Sequence, residues 1–183
     1  AHADIYVLGI GQADTGRDFT AAQRLFDTMR TPVAEPLPGV LPACNFGVNS
    51  GPHHWVLQAA VRHLDEWVRR GTPPPSGGPG IDEPLVLDAN GNVTGGVRSP
   101  HVDAPIAAIR GTGNSAPGPV NFCGLFGTTT PLAPEQLAAL YPTHARFVWA
   151  WLDSLYQAVR RGHILWEDAL LVLKPAVVSD IGQ

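Results

Sequence analysis

Histidine is the side chain that can take and return a proton near neutral pH, and this 183-residue chain carries seven. Three have positions that suit chemistry. His2, in Ala1-His2-Ala3-Asp4, sits among small residues where a strand would end and a loop begin, the usual placement of the proton-shuttling base in an acyl-transfer triad. Asp4 lies close by in sequence, but the orienting carboxylate of such triads normally comes from an earlier strand. His53 and His54 open a helix beside glycine and proline in Asn49-Ser50-Gly51-Pro52-His53-His54. A helix N-terminus disfavours imidazolium, so packing or capping competes with catalysis there. For His63, His101, His144 and His163, structural or solvated roles are the commoner use.

A nucleophile to match the histidines is not evident. None of Ser50, Ser76, Ser99, Ser115, Ser154 and Ser179 lies in G-x-S-x-G, and GVNSG around Ser50 has the wrong spacing. Cys44 has no base beside it in sequence. Metal-binding spacings such as H-x-x-x-H, H-E-x-x-H and C-x-x-C do not occur, so His2, His53 and His54 could build a metal site only if the fold gathered them. Without G-x-G-x-x-G or a Walker sequence there is no phosphate cradle, and no cofactor is expected.

The elements that must position these residues are clearest from Cys44 to Pro75. Leu57, Ala60, Val61, Leu64, Trp67 and Val68 recur at steps of three and four, which predicts one amphipathic helix that packs its stripe on something. Ser50 or Gly51 supplies the N-cap and Pro52 the first turn. Gly71 followed by Pro73, Pro74 and Pro75 forbids continuation. Upstream, 4–10 reads as a strand end or turn, and Asp18 to Met29 as a helix with Phe19, Ala22, Leu25 and Met29 inward. Downstream, PLVLD, Asn90-Gly91 and GGVRSP read as a hairpin on a type I′ turn. HVDAPIAAI follows as an edge strand. Helices are predicted over 134–140, 142–161 and 165–173, the second burying Phe147, Val148, Trp151, Leu152, Leu155 and Val159. The Pro/Gly segment 71–80 is the best boundary, dividing 1–75 from a hairpin and helical tail over 76–183.

Bulk properties exclude some partners. A formal net charge of −4 gives no electrostatic reason to expect nucleic acid. Runs such as Ala169–Leu173 are far too short to span a membrane. Gly and Pro number 20 and 18, which predicts long ordered loops. Cys44 and Cys123 both lie in Gly/Asn-rich turns. They could be one disulfide of an extracytoplasmic protein, periplasmic or secreted, or two buried thiols of a cytoplasmic one. Residue 1 is alanine, so the sequence reads as a processed product or a piece of something longer.

These residues carry a resemblance. AHAD, NSGPHHWVLQAAVRHLDEWVRRGTPPP, LDANGNVTGGVRSPHVDAPIAAIRG, FCGLFGTTTPL, LAALYPTHARFV and GHILWEDAL are similar to the C-terminal half of bacterial alpha/beta-hydrolase domain-containing proteins, over nearly the whole chain. More distantly, tannases and feruloyl esterases place G-x-x-H-C after their last core strand and end the next helix in W-V-x-x-G-x-x-P, which Trp67 to Pro74 matches. Ala3 stands where their cysteine would be, and a long insertion intervenes.

The resemblance implies an α/β fold: 1–75 would be the end of a hydrolase core and 76–183 an appendage packed on it. It implies carboxylic ester hydrolysis through an acyl-enzyme, with His2 as general base and then general acid. The nucleophilic serine and the acid would come from an N-terminal portion that acts as partner, with a small-molecule ester as substrate. The competing readings are a non-catalytic binding or assembly subunit, docking through the Trp149 and Trp151 helix, and a metal-dependent hydrolase.

Overall fold

Asp18 turns the chain into its first helix: its carboxylate accepts from the Ala21 N–H at 2.8 Å, so α1 runs Phe19–Arg30. In the computed structural model, residues 18–36, 39–51, 53–77, 86–119 and 121–183 are described. His2, the 4–10 segment and the start of the expected hairpin lie outside them. Further elements are α2 His53–Arg70, α3 Pro100–Asp103, β1 Ala107–Arg110, β2 Thr128–Pro131, α4 Pro134–Leu140, α5 His144–Arg160 and α6 Ala169–Val178. Short 3-10 turns occur at Phe122–Leu125 and Trp166–Asp168. Helices with a two-stranded sheet are compatible with part of an α/β fold.

α5 is the spine of the core. Thr143 caps it by accepting from the Arg146 N–H at 3.2 Å, and its inward face buries Phe147, Trp151, Leu155 and Ala158. Phe26 and Met29 of α1 meet Phe147 and Trp151, with Tyr141, Ile106 and Ala176 closing the cluster. Phe26 stands edge-on to Trp151 at 5.5 Å between ring centres, and the Trp151 indole N–H donates to Val172 O at 3.0 Å. Burial pushes the Tyr141 phenol well above its ordinary pKa, and its hydroxyl donates to Pro105 O at 3.1 Å. At the capped end of α5 the His144 ring lies between Ile181 O and Val177 O, at 2.9 and 3.0 Å, which ties the start of α5 to the end of α6.

β1 and β2 are antiparallel, with Ala107 opposite Pro131 and Arg110 opposite Thr128. The loop joining them returns through Gly127 at φ +59°, where a Cβ would fall 2.1 Å from Arg110 O, so glycine is required. In that loop Cys123 is bonded to Cys44, with Cα atoms 5.6 Å apart. Val48 and Phe126 pack around the bond.

Several expectations change. The hairpin reduces to one bridge, Leu87 to Val93, and its turn is not type I′: among the described residues only glycines have positive φ. Asp88 makes the turn instead, its carboxylate accepting from Asn90 N and Asn92 N, both at 2.9 Å. The expected edge strand opens as helix α3, because Pro100 at a helix start favours a turn, and only Ala107–Arg110 is extended. Its partner β2 had no pattern to announce it. The last helix starts later, after a 3-10 turn, and runs through Pro175 to Val178. Val148, Leu152 and Val159, expected inside, are only partly buried.

The largest correction concerns α2. Its stripe is open to solvent, with Leu57 at 51 %, Val61 at 58 %, Leu64 at 54 %, Trp67 at 50 % and Val68 at 80 % exposure. The helix meets the rest of the described chain through Trp55 and Ala59, two residues out of step and so about 160° around the helix. Trp55 joins Ala22, Leu155, Ala158, Ile164 and Val172. No helix of the described residues is long and apolar enough to cross a membrane.

Candidate functional site

The loop leading into His53 and His54 is held at nearly every residue. Asn45 N donates to Ser115 O at 2.8 Å, Val48 N to Val33 O at 2.8 Å and Asn49 N to Phe126 O at 2.9 Å. The Asn49 side chain donates to Arg110 O at 2.9 Å and accepts from Gly51 N at 2.7 Å. Gly47 is seated so tightly that a Cβ would lie 2.4 Å from the Pro32 side chain. The Ser50 amide donates to the Thr129 hydroxyl at 2.7 Å, and the two hydroxyls lie 2.9 Å apart. Ser50 is therefore spent on β2 and does not cap α2 with its side chain.

His53 and His54 are both half-buried, with the His54 ring centre 4.1 Å from that of Trp55. His101, from α3, comes to the same region. Burial, reinforced by the charge of His54, lowers its pKa to about 3. Its ring stands edge-on to Trp151 at 4.8 Å. The fold therefore brings together two histidines 47 positions apart, His54 and His101. By sequence His101 falls among the structural histidines, and nothing local to Ser99-Pro100-His101 signals this meeting.

The chemistry open to this arrangement is bounded. Ser99 Oγ lies 3.4 Å from His101 Nδ1, but a ring that holds a proton only below about pH 3 is too weak a base to activate serine. Other described serines are turned elsewhere: Ser154 Oγ donates to Asp103 Oδ2 at 2.7 Å, Ser115 Oγ accepts from Asn45 at 2.8 Å and Ser179 Oγ donates to Ala176 O at 2.8 Å. Among the described residues no group of three His, Cys, Asp or Glu side chains converges as a metal site requires. The remaining histidines are tied to backbone: His63 Nε2 lies 2.8 Å from Gly162 O and His163 Nε2 lies 3.4 Å from Ser76 O. His2 lies outside the described residues.

No curated protein and no solved structure matches the chain. The model of the family described as alpha/beta hydrolase domain matches residues 1–174, nearly the whole length. The chain belongs to the alpha/beta hydrolase domain family and is, at that level, a hydrolase.

Proposed function

We propose that this chain is the C-terminal part of a serine-type carboxylic ester hydrolase. His2 serves as general base and then general acid, while the nucleophilic serine and the orienting acid belong to an N-terminal portion. The observation that carries the reading is the bare stripe of α2. Five large apolar side chains at helical spacing, each at least half exposed, form a surface that calls for a covering partner. In this reading 1–75 ends the hydrolase core and the α2 stripe packs on the N-terminal portion, with 76–183 as the appendage. The Cys44–Cys123 bond favours an oxidising, extracytoplasmic compartment.

The test adds the N-terminal portion to the chain and follows p-nitrophenyl ester hydrolysis and fluorophosphonate labelling. Alone, the chain should neither hydrolyse nor label. With its partner, activity should appear, the adduct should sit on the partner's serine, and His2→Ala should lower kcat by roughly 10³-fold or more. Hydrolysis unaffected by His2→Ala would end the assignment. A partner that binds the stripe while neither piece labels would favour the second reading, a non-catalytic assembly subunit, for which the exposed Trp166 and Leu170 also speak.

A further inference from the structure

Along the outward side of α5 lies a cleft of about 650 Å³ that the ester-hydrolase reading does not use. Its floor is prearranged. The Arg98 guanidinium holds Asp103 Oδ1 through Nε at 2.7 Å, and Asp103 Oδ2 accepts from the buried Ser154 hydroxyl at 2.7 Å. A guanidinium and a carboxylate satisfied in this way stay in place when a ligand arrives, so little ordering cost falls on binding. Above the floor, Arg146, Trp149, Asp153, Gln157 and Arg161 line the cleft from one face of α5 and the turn after it.

These residues define a ligand. Trp149 leaves 68 % of its surface to solvent and offers a platform for a ring. Arg146 and Arg161 make no ion pair among the described residues, and a planar guanidinium without a partner suits a carboxylate bidentately. Asp153 and Gln157 between them add an acceptor for hydroxyls and an amide that both donates and accepts. An aromatic acid would use the tryptophan and one arginine but leave Asp153 facing it without a donor. A chain of hydroxylated rings bearing carboxylates satisfies all five. The spacing from Arg146 to Arg161 is about 22 Å along the helix, so one small ring cannot reach both.

The geometry points to this cleft as a binding site for an extended acidic oligosaccharide, with uronate carboxylates on Arg146 and Arg161, a ring stacked on Trp149 and hydroxyls on Asp153 and Gln157. The formal charges of Arg98, Asp103, Arg146, Asp153 and Arg161 sum to +1 in a chain of net charge −4.

Titration of the full chain with a tetrameric oligouronate, followed by calorimetry and tryptophan fluorescence, tests this without recourse to ester hydrolysis. Saturable binding should weaken about 10-fold in Trp149→Ala and by a similar factor in Arg161→Glu. A neutral oligosaccharide of equal length should bind about 10-fold or more weaker, and raising salt should weaken the oligouronate more than the neutral sugar. Thermal melts of both variants should match the parent, since the two side chains are exposed. Absence of saturable binding, equal binding of the neutral sugar, affinity unchanged in both variants, or preference for a simple aromatic carboxylate would each overturn the assignment.

Discussion

α5 and α2 are amphipathic helices of nearly equal length, yet they have opposite fates. α5 hides Phe147, Trp151 and Leu155 against α1 and α6, while α2 buries only Trp55 and Ala59 and leaves Leu57, Val61, Leu64 and Trp67 at least half in water. An apolar stripe states that a helix needs a partner. Whether the partner lies in the same stretch of chain is a separate matter, decided by which faces the rest of the sequence can reach. α2 is held on a different face, by Arg62 reaching Glu167 at 3.5 Å and by His63 against Gly162 O.

The sharpest way to break this contrast is to empty the α5 side. Trp151 is fully buried and donates a hydrogen bond to Val172 O, so Trp151→Ala removes a large packed surface and a buried hydrogen bond. The expected loss is about 5 kcal/mol, read as a shift in urea midpoint at unchanged slope. A loss below about 1 kcal/mol would mean that α5 is no better seated than α2.

Acid probes the same core through His101. Its folded pKa near 3 lies below the ordinary value of 6.5, so between these limits the unfolded chain binds a proton that the folded chain refuses. Stability is then complete above about pH 6.5 and falls as pH drops toward 3, by an amount on the order of 4 kcal/mol. His101→Gln should flatten that part of the Tm against pH curve. A slope unchanged in the variant would place the acid sensitivity elsewhere.

The Cys44–Cys123 bond closes across 79 positions and fastens the loop before α2 to the loop before β2. Opening it with Cys44→Ser and Cys123→Ser should cost about 3 kcal/mol. The difference between parent and variant should vanish when both are measured in reductant. A variant as stable as the oxidised parent would show that hydrogen bonds from Asn49, Ser50 and Asn114 already hold these loops.

What was legible in the sequence follows from the range of the forces involved. α1, α4 and α5 were found within two residues because caps, prolines and helical spacing are local. The α2 bounds were equally clear, but its environment was not, since periodicity is blind to which face finds a neighbour. β2 escaped because Thr128–Pro131 pairs with a strand some twenty positions back and owes its shape to that pairing and to Asn and Thr side chains rather than to alternation. The meeting of His54 with His101, and the floor built from Arg98, Asp103 and Ser154, are likewise products of distant packing. Only the family resemblance reached past this limit, and the match over residues 1–174 sustains it at the level of a hydrolase.

The smallest expected effect discriminates most finely between the two helices. Leu64→Ser and Trp67→Ser change side chains that already face water in this chain, so each should alter its stability by no more than about 0.5 kcal/mol. If the stripe is the seat of an N-terminal portion, the same substitutions become costly on assembly. Removal of a central tryptophan from an interface typically loses 2 kcal/mol or more, so Trp67→Ser should weaken association by roughly 30-fold while barely moving the isolated chain's melt. Should either substitution destabilise the isolated chain by 2 kcal/mol, the stripe would already be covered from within, and α2 would differ from α5 in degree rather than in kind.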